Sequence, residues 1–430
     1  MTPRIRVNFD VSPNSYKSSR KIAMARFIFF SVPAHGHINP TIPLVTELVQ
    51  RGNEVIYYAM PEFKDKIEKT GARFRAYDFH RYEQFHPSDN SLRLAETLLE
   101  ASSHLLPQLI QSVRDEKVDC IIHDSLCLWG WMVAKALDLP AVCSTTTFAM
   151  NRAVINSMFN NSMGALHRFA RMLTNSGASL FTISRKIRRL SKDYGVRVSI
   201  FSIFSNPSDL NIVYTTRELQ PLVESFDERY SFVGPSISIP QDEDTFPWQK
   251  LDGRSVIYIS LGTLRNKRTD FYRACIAALK ESEYLVVMSV GKNIDISELG
   301  EAPENILVFD YVPQLKVLQN TRLFISHAGM NSVHESLYFG VPLLLLPQTE
   351  EQEFVARQVE AFGAGKVLRE NDLEPEKLRG LVHTLLDDQK ISQSAITMQK
   401  SLHATGGYKF AADKIEEFVK VHQHSPRSSK

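Results

Sequence analysis

The residues best suited to acid–base chemistry lie in two short segments of the N-terminal half. Residues 33–40 (PAHGHINP) contain His35 and His37 on either side of a glycine, and Asp124 follows a later apolar run. An imidazole has an unperturbed pKa of about 6.5, so it can take a proton near neutral pH. An aspartate beside it could orient the ring and stabilise its charged form. The two segments predict a general base with an acidic partner.

Simpler interpretations of both segments remain open. The H-G-H triplet could be a glycine turn with solvated histidines, and Asp124 could cap the N-terminus of the next helix. Zinc would need a further histidine or cysteine cluster, and the sequence has none that joins these histidines. We therefore expect no metal site.

A second polar group lies in residues 311–352 of the C-terminal half. After an apolar run ending at Ser326, a glycine-bearing turn leads into a helical pattern. The N-terminus of such a helix presents free N–H groups and a positive dipole end to an anion. One turn later, Glu335 could accept hydrogen bonds from a ribose diol. Three side chains of the turn add donors: His327, Asn331 and Ser332.

This pattern fits a nucleotide diphosphate. It is neither the G-x-x-x-x-G-K-[ST] loop nor G-x-G-x-x-G, which disfavours P-loop enzymes and simple dinucleotide oxidoreductases. Further on, Glu351 and Gln352 follow another apolar run and could hold the hydroxyls of a sugar. They could equally be a solvated helix start, where the helix dipole favours an acid.

The elements that must position these residues alternate along the chain. Apolar runs such as residues 25–32, 118–123, 255–260 and 321–326 are each followed by a helical pattern. This alternation predicts βαβ units and an α/β fold with parallel, doubly wound sheets. Ligands of such sheets bind at the carboxyl ends of the strands, which is where the polar segments lie.

The length of 430 residues favours two domains. A turn-rich, acidic stretch separates two series of alternating elements. The expected organisation is a disordered extension (1–23), an N-terminal domain (24–231), a linker (232–253), a C-terminal domain (254–406), a C-terminal helix that could pack back on the first domain (407–423) and a tail (424–430).

Composition excludes several classes of protein. The chain is 43% hydrophobic and 23% charged, as expected of globular domains. Its 50 basic and 48 acidic residues give a net charge of +2, which argues against a nucleic-acid binder that depends on a global positive field. No apolar run reaches the roughly 18 residues of a membrane span. The four scattered cysteines favour a reducing cytoplasm.

These motifs resemble the UDP-glycosyltransferase superfamily (glycosyltransferase family one), specifically its bacterial macrolide-type members. The string P-Q-x-x-x-L…H-A-G-x-x-S…E…P…E-Q carries the resemblance, and the pattern spans Met24 to about residue 423. The resemblance implies the GT-B fold, in which two Rossmann-like domains face a cleft. It implies that the acceptor binds mainly to the N-terminal domain (24–231) and the sugar nucleotide to the C-terminal domain (254–406). It also implies that the sugar is transferred with inversion and without a metal.

The resemblance also assigns roles to individual residues. It implies that His37 is the general base and Asp124 its orienting partner. Tyr311 stands where a tryptophan that stacks on uracil is usual, and Glu351 stands where an aspartate is usual. The implied donor-binding residues are Thr263, Tyr311, Gln314, His327, Gly329, Asn331, Ser332, Glu335, Glu351 and Gln352.

The implied reaction moves a sugar, with glucose expected, from a UDP-sugar to a hydroxyl of a small hydrophobic acceptor such as a macrolide, polyketide or flavonoid. No cofactor is expected beyond this co-substrate, and a monomer and a dimer remain equally open. A GT-B sugar-nucleotide epimerase and a non-catalytic UDP-sugar-binding protein are the alternatives. Four apolar residues could contact the acceptor, although helix core is an equally good interpretation of each: Phe148, Met150, Met158 and Phe159.

Overall fold

Two parallel β-sheets form the centres of two lobes. The computed structural model describes residues 24–78, 91–160, 165–239, 245–263 and 265–423, with backbone alone for residues 91, 158–160 and 165–179. The segments expected to be a terminal extension and a tail lie outside this range. No helix in the described part of the chain is long and apolar enough to span a bilayer.

The first sheet has the strand order β3-β2-β1-β4-β5-β6-β7, and all neighbouring strands are parallel. Its strands are β1 Arg26–Phe30, β2 Glu54–Ala59, β3 Arg73–Ala76, β4 Cys120–Asp124, β5 Ala141–Thr145, β6 Leu210–Val213 and β7 Tyr230–Phe232. The helices of this half are α1 His35–Ile38, α2 Thr41–Gln50, α3 Lys64–Glu68, α4 Ser91–Glu116, α5 Leu128–Ala136, α6 Arg152–Asn160, α7 Ala165–Tyr194 and α8 Ile200–Phe204.

The second sheet has the order β10-β9-β8-β11-β12-β13 and is also parallel throughout. Its strands are β8 Val256–Ser260, β9 Leu285–Ser289, β10 Ile306–Phe309, β11 Thr321–Ser326, β12 Leu343–Leu345 and β13 Gly365–Val367. The helices are α9 Thr269–Leu279, α10 Gln314–Leu318, α11 Met330–Tyr338, α12 Glu350–Phe362, α13 Pro375–Asp387, α14 Gln389–Ala404 and α15 Gly407–Gln423. The predicted α/β fold with two doubly wound parallel sheets is confirmed.

The strand order explains where the predicted catalytic and binding residues lie in each sheet. The order reverses direction between β1 and β4 in the first sheet and between β8 and β11 in the second. Such switch points open a crevice at the carboxyl ends of the two central strands. His37 follows β1, Asp124 ends β4, and His327 follows β11. Each predicted group therefore lies at a switch point.

Some local predictions were wrong. The sequence patterns did not predict β3, β7 or β13, which are short, and the alternating R-F-R-A of β3 is largely exposed rather than continuously apolar. Residues 35–38, expected as a loop, form the one-turn helix α1. The amides of His37 and Ile38 both donate to the carbonyl of Ala34, which closes that turn.

The last helix, α15, packs against α2 of the first lobe. Arg51, at the end of α2, pairs with Asp413 (2.6 Å) and Glu416 (3.1 Å). The side-chain amide of Asn53 donates to Glu416 over 2.8 Å. Ala411, Ala412, Ile415 and Val419 share a buried apolar cluster with β1 and β2. The C-terminal segment therefore ties the second half of the chain to the first sheet.

Candidate active site

A cleft of about 2830 Å³ lies between the lobes and is lined by both. Asp124 lies behind its wall. The side chains of Met158 and Phe159, on α6, lie outside the described residues. The other sequence-predicted site residues all line the cleft: His37, Phe148, Met150, Thr263, Tyr311, Gln314, His327, Gly329, Asn331, Ser332, Glu335, Glu351 and Gln352.

His37 and Asp124 form a hydrogen-bonded pair. Nδ1 of His37 lies 2.7 Å from Oδ2 of the fully buried Asp124. The other carboxylate oxygen accepts the backbone N–H of Leu126 over 2.8 Å, so Asp124 also caps the turn before α5. Because a carboxylate at Nδ1 favours the tautomer with the proton there, the lone pair of His37 is on Nε2. The side chain of His37 is 16% exposed, which leaves it accessible from the cleft.

The charges around His37 make it a stronger base. Burial alone would lower the pKa of His37, but the carboxylate of Asp124, helped by Glu351, outweighs burial and raises it. Thr146 Oγ1 is 3.1 Å from the same Nδ1. The neighbouring His35 differs, because its exposed ring packs edge-on against Phe63 and both burial and Lys66 lower its pKa. The structure thus pairs His37, and not His35, with the buried acid.

The start of α11 is open toward the cleft. Gly329 occupies its N-cap position, no side chain caps its first N–H groups, and its first turn holds no acid. Ala328 precedes it with a φ of 64°. Free N–H groups and the positive end of the helix dipole are what an anionic ligand requires.

His327 lies against this helix start between two glycines. A Cβ on Gly262 would lie 2.6 Å from Cε1 of His327, and one on Gly329 would lie 2.4 Å from its Nε2. Burial, only partly opposed by the carbonyl of Ser260, lowers the pKa of His327 to about 4. Its buried Nδ1 has no hydrogen-bond partner among the described residues. His327 is therefore a neutral group near neutral pH and can serve as a hydrogen-bond donor rather than a charge.

Glu335 belongs to a small hydrogen-bonded network. The amide of Gln314 donates to Glu335 Oε2 (2.6 Å) and to Ser332 Oγ (3.4 Å), and the hydroxyl of Tyr258 donates to Gln314 Oε1 (3.2 Å). Burial raises the pKa of Glu335 to about 7, although Gln314 and Lys66 oppose the shift. Gln314, which the resemblance assigns to donor binding, therefore orients the acid on α11.

Asn331 makes a contact between the lobes. Its side-chain amide donates to the backbone carbonyl of Gly36 in the first lobe, over 3.0 Å. The side chain predicted to bind a diphosphate is thus engaged in a contact between lobes. Its position in the first turn of α11 still leaves the backbone N–H available to an anion.

Glu351 and Gln352 begin α12. The hydroxyl of Thr349 caps this helix by accepting the N–H of Gln352 (3.2 Å), and Gln352 Oε1 accepts the N–H of Gln348 (2.8 Å). Glu351 is exposed in the cleft, where partial desolvation by the walls raises the pKa of its carboxyl and His37 opposes that rise. This segment therefore combines the start of α12 with a carboxyl group that interacts electrostatically with His37.

Tyr311 and Thr263 lie at exposed edges of the cleft. The side chain of Tyr311 is 75% exposed, so its ring is accessible to a planar ligand. Thr263 follows β8 beside Gly262 and is also exposed. Both positions are open to a ligand that spans the C-terminal wall.

Phe148 lines the cleft but is almost wholly buried. It is 3% exposed and packs edge-on against Phe354, with ring centroids 5.6 Å apart. It belongs to the buried cluster of the second lobe, so it also packs between the lobes. Met150 is half-buried at the cleft wall, which also includes Ile155, Leu180, Phe201 and Phe204.

Two residues of the site were missed from the sequence. Thr146, beside His37, follows β5, so the rule that ligands bind after parallel strands could have pointed to it. Lys66 lines the cleft from α3, and no sequence pattern marks it. Among the described residues, no group of three or more His, Cys, Asp or Glu side chains could hold a metal ion.

Comparison with known proteins identifies the family. Residues 274–417 match the family model described as erythromycin biosynthesis protein CIII-like, C-terminal domain. The chain is 36% identical over 404 residues to the uncharacterized UDP-glucosyltransferase YojK of Bacillus subtilis, covering 92% of this chain and 98% of the relative. It is 30% identical over 410 residues to demethyllactenocin mycarosyltransferase of Streptomyces fradiae, covering 91% and 86%.

Comparison with solved structures supports the same family. The glycotransferase of kitacinnamycin superposes with a TM-score of 0.79 at 26% identity, covering 92% of this chain and 99% of that one. The calicheamicin glycosyltransferase CalG4 superposes with a TM-score of 0.76 at 28% identity, covering 94% and 100%. The resemblance inferred from the motifs is confirmed: the chain belongs to the macrolide-type members of glycosyltransferase family one and is a glycosyltransferase with the GT-B fold.

Proposed function

We propose that this enzyme transfers a hexose, with glucose as the first candidate, from a UDP-sugar to a hydroxyl of a small hydrophobic acceptor such as a macrolide, polyketide or flavonoid. The observation that carries the proposal is the pair of His37 and buried Asp124 in one cleft with the open start of α11. A base and an anion-binding helix end are the two parts that this transfer requires.

The names of the relatives support the two substrate classes. The Bacillus relative is named a UDP-glucosyltransferase, which favours UDP-glucose as donor. The Streptomyces relative is named for demethyllactenocin and mycarose, which favours a natural-product acceptor. The apolar cleft wall with Met150, Phe201 and Phe204 suits an acceptor with little charge.

His37 starts the proposed reaction. Its Nε2 removes the proton of the acceptor hydroxyl, and Asp124 stabilises the imidazolium that forms. The oxygen attacks the anomeric carbon from the face opposite the diphosphate, so the configuration inverts. Help from such a base accounts for a rate effect of about 10²–10⁴.

The start of α11 and His327 receive the leaving group. The N–H groups after Gly329 and the neutral imidazole meet the charge that develops on the departing diphosphate. These are N–H donors rather than the oxygen ligands that Mg²⁺ prefers. This donor set supports a transfer that needs neither a metal nor a further cofactor.

The remaining donor contacts are those that the family resemblance implies, and the position of these residues in the cleft supports them. Glu335 accepts from the ribose hydroxyls, Tyr311 stacks on the uracil, and Glu351 with Gln352 holds the sugar, while Thr263 lies near the phosphates. We assign acceptor binding to residues 24–231 and donor binding to residues 254–406, joined by the linker 232–253. The four cysteines are free and buried, which supports a reaction in the reducing cytoplasm.

Mass spectrometry of reaction mixtures tests the proposal. The enzyme is incubated with several UDP- and dTDP-sugars and a mixed panel of phenols and macrolides, with and without a metal chelator. We expect acceptors to gain the mass of one hexose, most with UDP-glucose and equally with chelator. Rearranged donor without an acceptor would instead indicate an epimerase. UDP binding without product from any acceptor would indicate a non-catalytic protein.

A further inference from the structure

We propose that Lys66, a residue of the acceptor lobe, binds the nucleotide diphosphate part of the donor and completes the donor site from across the cleft. The inference rests on the proposed nucleotide-sugar donor. Lys66 lies in the middle of the short helix α3, and its side chain lines the cleft. Neither the sequence motifs nor the proposed reaction uses it.

The ammonium of Lys66 is held beside the segment that carries the base. It donates to Oδ1 of Asn39 over 2.6 Å, and Asn39 directly follows α1. In the same segment, the carbonyl of Gly36 accepts the hydrogen bond from Asn331 in the first turn of α11. This contact holds the segment, and Lys66 with it, against the N-terminal half of α11.

Lys66 and Glu335 line the same cleft from different lobes. The side chain of Lys66 is exposed, and partial desolvation by the cleft walls lowers its pKa, which the carboxylate of Glu335 opposes. In the same way, Lys66 opposes the rise in the pKa of Glu335. The two groups are therefore close enough to interact electrostatically although they belong to different lobes.

The positive charge of Lys66 helps to balance the negative charge of the nucleotide diphosphate. The helix start supplies only about half an elementary charge, and His327 is neutral because its pKa is about 4. A nucleotide diphosphate carries a larger negative charge than these groups balance. An ammonium has three donors and no acceptor, so it suits phosphate and ribose oxygens. Lys66 thus links donor binding to the approach of the two lobes.

A purely structural interpretation makes a different prediction. If Lys66 serves only to fix α1 through its bond to Asn39, then Asn39→Ala should have the same effect as Lys66→Met. If the ammonium binds the donor, Asn39→Ala leaves the charge in the cleft and has the smaller effect.

Titration calorimetry with UDP at low and high salt separates these interpretations. We expect Lys66→Met to weaken UDP binding at least about tenfold, the usual loss for a charge-assisted hydrogen bond. Lys66→Arg should keep most of the affinity. The matched control is Lys64→Met, because Lys64 lies on the same helix, is exposed and does not line the cleft. The affinity of the unaltered enzyme should also fall more steeply with salt than that of Lys66→Met.

Thermal melting first shows that each variant folds. Equal UDP affinity in Lys66→Met and the unaltered enzyme would overturn the role of Lys66 alone, as would equal losses in Lys66→Met and Asn39→Ala. An unaltered enzyme that binds UDP but transfers no sugar would overturn the proposed function and leave the Lys66 contact standing. An unaltered enzyme that binds neither UDP nor dTDP would overturn both.

Discussion

The side-chain amide of Asn331 donates a hydrogen bond of 3.0 Å to the backbone carbonyl of Gly36, the residue between His35 and His37. One turn further along α11, Nε2 of His334 lies 3.0 Å from the hydroxyl of Thr215 in the first lobe. The helix whose start is the proposed donor site thus also contacts the turn that carries the proposed base, His37. Direct contacts between the lobes, and not only the linker, set the spacing between these two groups.

This contact predicts the behaviour of Asn331→Ala. Without the amide, the turn at Gly36 loses its hydrogen bond to α11, so His37 can shift relative to the start of that helix. A shift of about 1 Å in a reacting group can lower the rate about 10²-fold. We expect kcat/KM for transfer to fall about 10-fold to 100-fold. The UDP affinity measured by calorimetry should fall less than in Lys66→Met, because the backbone N–H groups and the Lys66 ammonium both remain. A loss of UDP affinity larger than that of Lys66→Met would instead show that the amide binds the diphosphate directly.

Asp124→Asn tests the partner of the base. The carboxylate raises the pKa of His37, so its loss should move the acidic limb of the kcat/KM profile to lower pH. An amide facing Nδ1 also favours the tautomer with the proton on Nε2, which removes the lone pair that takes the proton. We expect the plateau to fall about 10²-fold to 10⁴-fold. An unshifted profile with an unchanged plateau would remove Asp124 from the mechanism.

Glu335 predicts a pH dependence of donor binding. Because burial raises its pKa to about 7, the carboxyl is mostly protonated below this pH and ionised above it. An ionised carboxylate accepts more strongly from ribose hydroxyls, so KM for the nucleotide sugar should fall between about pH 6 and about pH 8. A nucleotide sugar is used rather than UDP, whose own terminal phosphate titrates in this range. Glu335→Gln should give a flat profile, and a pH dependence retained by this variant would contradict the assignment.

Gly329→Ala tests the packing around His327. The new Cβ would lie 2.4 Å from Nε2 of His327, so the imidazole must move. We expect UDP affinity to fall about tenfold, the loss of about one hydrogen bond. In the background of His327→Ala, the same glycine change should add little. Gly380→Ala on α13 is the control, because a Cβ there meets nothing within 4 Å. Additive losses in the double variant would show that Gly329 acts independently of His327.

The two sheets could be predicted because buried parallel strands are continuous apolar runs. The run predicted at residues 321–326 has the same bounds as β11, Thr321–Ser326. The short edge strand β3 could not be predicted from the sequence, because its alternating residues do not distinguish a strand from a turn. The position of His37 and Asp124 near the cleft could be predicted because both residues lie at the carboxyl ends of parallel strands, where ligands bind.

The contacts that depend on the spacing between the lobes could not be predicted from the sequence. The side chain of Asn331 lies in a donor motif, and only the approach of Gly36 shows that it contacts the other lobe. Phe148 has the apolar character expected of an acceptor contact, and its contact with Phe354 has no local sequence pattern. The electrostatic interaction of Lys66 with Glu335 likewise arises from two distant segments and has no local pattern.

The central claim is that His37 takes the proton from the acceptor, and His37→Ala tests it most directly. Turnover is measured with UDP-glucose and the best acceptor of the panel, and UDP affinity is measured by calorimetry on the same protein. The account predicts that kcat falls about 10²-fold to 10⁴-fold while UDP affinity stays nearly unchanged. An unchanged kcat in His37→Ala would contradict it.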